Sequence, residues 1–267
     1  MQRNYSEYKG NEGNKEMKII KDICYCDIAH PRQKLDIYLP DSEEFDVFIY
    51  LHGGGMESGS KDQKDKIDFV PLLIKNNFAV VMANYRLYPS ARYPEFICDG
   101  AAALAWVYKN IHSYGKVGKI YAGGCSAGGY ISQMLCFDEK YLKPHNLKPT
   151  DFAGFIHDAG QPTTHFNVLR ERGIDVRKAI VDESAPLYHI GESEEYPPML
   201  FVVSDNDMPC RYEQTQLVLK TMSHFEYDMN KVRFKLMHGT HCQYNHEFDE
   251  NGDCAISKVY LEFFEEF

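Results

Sequence analysis

Ser126 lies in the run Gly123-Gly124-Cys125-Ser126-Ala127-Gly128-Gly129. A serine with glycine two positions away on each side is the sequence form of a nucleophile lifted out of a tight strand-to-helix turn. The chemistry this suggests is covalent catalysis, in which the hydroxyl attacks a carbonyl carbon as a neighbouring base takes its proton. Cys125 is a rival nucleophile one residue earlier. The glycine frame separates the two. Around Ser126 the flanks are Gly124 and Gly128; around Cys125 they are Gly123 and Ala127, which spoils the second close approach. Ser126 is the expected nucleophile and Cys125 a packed neighbour. The plainer reading is a glycine-rich turn without chemistry.

A second glycine cluster, His52-Gly53-Gly54-Gly55, follows an apolar run. Glycines let backbone N–H groups approach a substrate carbonyl with no side chain between, and with the N–H of Ala127 they would hold the oxyanion of a tetrahedral intermediate. A flexible glycine loop is one competing reading and a phosphate cradle the other. The cradle is disfavoured by the absence of a G-x-x-x-x-G-K-[ST] pattern and by a net charge of −10. An acid and a histidine must then follow the serine. "VVSDNDMPCRYEQT" offers Asp205 and Asp207, and Asp207, deeper in the loop before the next helix, is preferred. A turn or helix-cap residue is the bland alternative for either. "KLMHGTHCQYNH" offers His238, His241 and His246. His238 belongs to a strand end and His246 to the run toward the last helix. His241, after Gly239, is the expected general base. The three histidines do not form the H-E-x-x-H pattern of a metal site.

The elements around these residues alternate between strand and helix. "KLDIYLP", "DVFIYLH", "NFAVVMANY", "KIYAGGCS", "DFAGFIHDAG", "PPMLFVVSD" and "KVRFKLMHG" read as strands, and Cys24 and Cys26 alternate along another. Helical spacing joins Ile97, Ala101, Leu104, Ala105 and Tyr108; Tyr130, Met134 and Phe137; Val218, Met222 and Phe225; and Ile256, Val259, Tyr260, Phe263, Phe264 and Phe267. This rhythm predicts one mostly parallel sheet of about eight strands, covered by helices on both faces, with functional residues at the carboxyl ends of strands. Residues 161–190 break the rhythm and read as a small cap-like insertion, or as an ordinary crossover with an extended loop.

The 267 residues, 44% hydrophobic and 25% charged, suffice for a single domain, with residues 1–18 as a polar lead-in. The acidic balance argues against a nucleic-acid partner. No apolar run is long enough to span a bilayer, and no leader-like segment opens the chain. A cytoplasmic protein with reduced thiols is the expectation for its eight cysteines, which include no C-x-x-C pair.

From about Leu35 onward the chain resembles the α/β-hydrolase carboxylesterases, close to their hormone-sensitive-lipase-like and acetyl-esterase (BD-FAE-like) groups. Besides "HGGG" and "GCSAGG", "ANYRLYPSARYPEF" is similar to that family's N-Y-R-L-x-P segment and "SAPLYHI" to the segment after its cap. "SDNDMPC" is similar to its acid loop and "HGTHC" to its histidine loop. The resemblance implies an α/β-hydrolase fold, a triad of Ser126, Asp207 and His241, an oxyanion hole from Gly54, Gly55 and Ala127, and no cofactor or metal. Met56, where an aromatic is usual, and Cys125 depart from the pattern. The short N-terminus implies a small cap and an open pocket.

The implied activity is hydrolysis of short-chain, acetyl-type carboxylic esters, O-acetylated sugars among them, through an acyl-enzyme. The partner would be a small-molecule ester, with a homodimer left open. Two other readings compete: a formamidase-type amidase on the same triad, and a catalytically inactive hydrolase fold that serves as a binding module.

Overall fold

The computed structural model of the chain describes residues 5–8, 17–28, 30–63 and 67–267. Its strands are β1 (Tyr5–Tyr8), β2 (Met17–Cys24), β3 (Lys34–Leu39), β4 (Glu44–Leu51), β5 (Phe78–Ala83), β6 (Lys116–Cys125), β7 (Gly154–Asp158), β8 (Met199–Ser204) and β9 (Val232–Met237). They form one sheet in the order β1-β2-β3-β5-β4-β6-β7-β8-β9. The eight strands from Met17 onward agree with the expected count, and β1 adds a short ninth. Strands β1 to β3 pair antiparallel, and β5, β4, β6, β7, β8 and β9 run parallel. Of the expected lead-in, residues 1–4 and 9–16 lie outside the described residues, residues 5–8 form β1, and Met17 and Lys18 open β2.

Side-chain alternation builds a core on each face of this sheet. In β4, Val47, Ile49 and Leu51 enter one core while Phe48 and Tyr50 enter the other. β5 divides in the same way, Ala79, Val81 and Ala83 against Phe78, Val80 and Met82. Burial on both faces is why these strands read as unbroken apolar runs. The first face is covered by α2 (Glu95–Asn110), α3 (Ala127–Phe137) and α5 (Arg211–His224), and the second by α1 (Val70–Lys75) and α6 (Ala255–Glu266). On α6 the expected stripe buries Ile256, Val259, Tyr260, Phe263 and Phe264. Each such side chain contributes roughly 1.5–3 kcal/mol relative to exposure.

The stripe on α5 is shorter than expected. Val218 and Met222 are buried, but the helix ends at His224, the chain turns at Glu226 (φ 58°), and Phe225 stays 53% exposed. Residues 161–190 hold α4 (Phe166–Glu171), a 3-10 turn at Pro186–His189 and no strand. The chain leaves β4 toward β5 on one side and returns to β6 on the other, and Leu51 of β4 pairs with Gly124 of β6. A crevice at such a reversal is where parallel sheets place ligands, and here it falls between the two glycine clusters.

Candidate active site

Ser126 follows β6 and precedes α3, with φ 57° and ψ −111°. For a residue with a side chain that conformation costs about 1–3 kcal/mol and must be enforced by its surroundings. The enforcement is visible. The Ser126 N–H donates to the Asp158 carbonyl at the end of β7 (2.7 Å), and its own carbonyl accepts from Tyr130 in α3 (2.9 Å). Space explains the glycine frame. A Cβ on Gly128 would lie 1.9 Å from the Leu51 carbonyl oxygen, and one on Gly124 would lie 2.5 Å from that same oxygen. Leu51 therefore excludes side chains on both sides of the serine.

His241 reaches this turn from the loop after β9. Its Nε2 accepts from the Ser126 hydroxyl at 2.8 Å, and its Nδ1–H donates to Asp207 Oδ1 at 2.6 Å. An ionised carboxylate only accepts, so Asp207 fixes the tautomer that leaves the Nε2 lone pair for the serine. The Asp207 side chain is 1% exposed and also accepts from the N–H groups of Met208 (2.7 Å) and Ser204 (3.3 Å). Burial presses its carboxyl upward. The hydrogen bond and charge of His241, the Met208 N–H and the nearby Arg211 charge together hold it below the ordinary value. The acid and histidine loops are tied together by Ser204 Oγ on the Thr240 carbonyl (2.7 Å) and by the Asn206 N–H on the Gly239 carbonyl (3.1 Å).

The alternatives weighed from sequence are placed elsewhere. Asp205 accepts from His238 Nδ1 at 2.7 Å, an outer pair that does not include Ser126. His246 lies near Asp68, with Nδ1 3.6 Å from a carboxylate oxygen. The three histidines thus face three different carboxylates.

Peptide planarity orients the second glycine cluster, because in a trans peptide the N–H points opposite to the carbonyl. The Gly53 carbonyl accepts from His52 Nδ1 (2.7 Å), which sets the direction of the Gly54 N–H. The Gly54 carbonyl accepts from the N–H groups of Glu57 and Ser58 (3.0 Å each) and from Ser58 Oγ (3.1 Å), which sets that of Gly55. Gly54 (φ 119°) and Gly55 (φ 63°) occupy backbone regions that favour glycine. The loop packs on Ser126: a Cβ on Gly53 would stand 3.3 Å from the Ser126 Cβ. Ala127 is the first residue of α3, so its N–H has no partner within the helix.

Several positioning residues were missed from sequence. Arg32 donates to the carbonyls of Tyr85 (3.2 Å) and Gly59 (3.0 Å) and to His52 Nε2 (3.1 Å), while the Tyr85 ring stacks on His52 at 4.4 Å. Asn167 of α4 donates to the Gly55 carbonyl (3.0 Å), and Arg170 pairs with Glu57. Residues 161–190 are thus latched to the glycine loop. Arg211 is buried and reaches the Ala159 carbonyl just past β7. Asp158 accepts from both Tyr244 and Tyr260, and its burial lifts the carboxyl to about 6 against those two hydrogen bonds. The available signal was a carboxylate at the end of an apolar strand, "GFIHD".

Residues 35–143 match the BD-FAE family model. Over 94% of this chain and 85% of the other, the backbone superposes on esterase B from Lactobacillus rhamnosus HN001 with a TM-score of 0.74 at 18% identity. A truncated carbohydrate esterase from gut microbiota gives a TM-score of 0.71 at 18% identity, over 92% of this chain and 95% of that one. This is an α/β-hydrolase fold. Among curated relatives, esterase LipI of Mycobacterium tuberculosis is 36% identical over 36% of this chain and 30% of its own length. The 3-O-acetylpapaveroxine carboxylesterase CXE2 of Papaver somniferum is 31% identical over 58% and 54%. An acetyl esterase of Salmonella schwarzengrund is 30% identical over 42% and 35%. The chain thus spans about a third to a half of the length of these three relatives. No helix among the described residues is long and apolar enough to cross a membrane.

A groove of about 720 Å³ lies at the opposite, amino-terminal ends of β7 to β9, near Tyr196, Phe225 and Tyr227. It holds none of Ser126, Asp207, His241, Gly54, Gly55 or Ala127.

Proposed function

We propose that this α/β-hydrolase is a serine carboxylesterase acting on short-chain, acetyl-type esters of small alcohols or sugars. One observation carries the reading: Ser126, His241 and Asp207 form an unbroken hydrogen-bonded relay, which in this reading is served by the N–H groups of Gly54, Gly55 and Ala127 as oxyanion donors. His241 Nε2 takes the Ser126 proton as Oγ attacks the ester carbonyl. The three N–H groups receive the oxyanion, and the imidazolium returns the proton to the departing alcohol. Water then attacks the acyl-enzyme with His241 again as base, releasing the acid and restoring the serine. Asp207 keeps the ring in its tautomer and stabilises the imidazolium.

The preference for short acyl groups rests on Phe166. A Cβ on Gly55 would stand 3.1 Å from Phe166 Cζ, so this ring walls the space beside the glycine loop. Residues 161–190 act in this reading as the cap, with α4 its substrate-facing piece. The names of the relatives support ester hydrolysis, and one of them is an acetyl esterase. The test is a nitrophenyl-ester series from acetyl to octanoyl with wild type and Ser126→Ala. Turnover should be highest for acetyl and fall by about 10⁴-fold or more in the variant. Equal turnover by both proteins, or faster cleavage of an aryl formamide than of an aryl acetate, would overturn the proposal.

A further inference from the structure

Two cysteines flank the relay on its buried side. Cys125 precedes Ser126 in the nucleophile turn, and Cys242 follows His241 in the histidine loop. They are 117 residues apart in the chain, yet their sulfurs stand 2.9 Å apart. Both are buried, at 4% and 9% exposure. Non-bonded carbon atoms settle at about 3.5–4.0 Å, and sulfur is larger, so the pair is closer than ordinary packing.

A shared metal does not explain the spacing. Cys125, Asp158 and Cys242 bring donor atoms within 4.8 Å of one another. Two thiolates on one tetrahedral ion, each at about 2.3 Å, would however stand ~3.8 Å apart. The Asp158 oxygens are also engaged, Oδ1 by Tyr244 and Oδ2 by Tyr260. A sulfur–sulfur bond needs about 2.05 Å, within reach if each sulfur moves by less than about 0.5 Å. Asn245 Nδ2, 3.3 Å from the Cys125 sulfur, contributes a polar wall beside the pair.

We propose that Cys125 and Cys242 form a disulfide that staples the nucleophile turn to the histidine loop. The staple is compatible with the relay, because Ser126 and His241 are already 2.8 Å apart while the sulfurs are within reach. It bypasses the long covalent path between the two loops, which removes freedom from the unfolded chain. The oxidant is a small-molecule disulfide such as oxidised glutathione. The Cys242 thiolate, the more exposed of the two, attacks one reagent sulfur, breaking the reagent S–S bond and releasing one thiolate. Cys125 then attacks the Cys242 sulfur of the mixed disulfide and expels the second reagent thiolate. The two protein thiols give up two protons and two electrons, and the reagent becomes two thiols. The hydrogen bond with Cys125 and burial both raise the Cys242 thiol well above its ordinary value, so exchange is fastest while the loops are still open during folding.

The readout is a mass and does not depend on the esterase reading. The full chain is refolded in a glutathione redox buffer, denatured, alkylated and weighed. Six adducts in place of eight are expected, with a Cys125–Cys242 cross-link in the non-reduced peptide map. A reductant should then lower the melting temperature by about 5–10 °C. Cys242→Ser should show neither the cross-link nor the reductant effect. Eight adducts under oxidising refolding, a cross-link between other cysteines, or both thiols protected by a bound metal would each overturn the proposal.

Discussion

Two histidine–aspartate pairs stand side by side on the same two loops, and only one belongs to the relay. The inner pair, His241–Asp207, and the outer pair, His238–Asp205, have nearly equal Nδ1 to carboxylate distances of 2.6 and 2.7 Å. Their separations along the chain, 34 and 33 residues, also nearly match. They differ in burial. The outer side chains are 93% and 40% exposed, against 24% and 1% for the inner pair. A solvated ion pair is screened and contributes little, whereas a carboxylate excluded from water acts strongly on its partner. Reach completes the difference, since only His241 meets Ser126. Identical chemistry at nearly identical spacing therefore yields a candidate catalytic group in one place and a surface ion pair in the other.

Substitution tests this contrast most severely. His241→Ala should lower kcat on a nitrophenyl acetate by about 10⁴–10⁶-fold, while His238→Ala should stay within about two-fold, as solvated surface changes do. Comparable losses from the two would erase the distinction. The acids come next. Asp207→Asn should cost about 10²–10⁴-fold in kcat, because the amide offers His241 the wrong hydrogen-bonding partner and the imidazolium loses its stabilising charge. Asp205→Asn should again stay within about two-fold.

Acid titration gives a smaller effect. The native Asp207 carboxyl is held below its ordinary value. Its stabilising contribution is therefore full above about pH 4 and is lost as pH falls through the native value. Melting curves of wild type and Asp207→Asn should draw together from pH 5 to pH 2. The offset between wild type and Asp205→Asn should close in the same direction but by less, because Asp205 is also held low by His238 yet that pair is solvated. A constant gap for Asp207→Asn would remove the carboxylate from the account. The smallest effect is spectroscopic. The hydrogen bond and charge of Asp205 raise the exposed His238 above the ordinary histidine value. Its ring signals in an NMR titration should shift to lower pH in Asp205→Asn and, because the pair is solvated, in high salt.

Much of the fold was legible because burial on both faces of a parallel strand leaves an unbroken apolar run, as in "FAVVMA", and burial on one face of a helix leaves a stripe, as on α6. The stripe failed at Phe225, where chain reversal at Glu226 ended the helix and left an aromatic in solvent. The positioning residues were illegible for a different reason. Arg32, Asn167 and Arg211 act on backbone carbonyls, and a carbonyl leaves no mark in a sequence.

The sequence by itself determined the serine frame, since Gly124 and Gly128 stand where the Leu51 carbonyl would exclude a Cβ. It also determined the order of serine, acid and histidine along a parallel sheet. The sequence preferred Asp207 and His241 from loop position, and the tertiary structure supplied the physical difference, because the two pairs of the same types at almost the same separation differ in water exclusion and in reach to Ser126. The tertiary structure alone brought Cys125 to Cys242. A 117-residue separation carries no local signal of contact, and only the closure of β6 and the histidine loop around one crevice creates it.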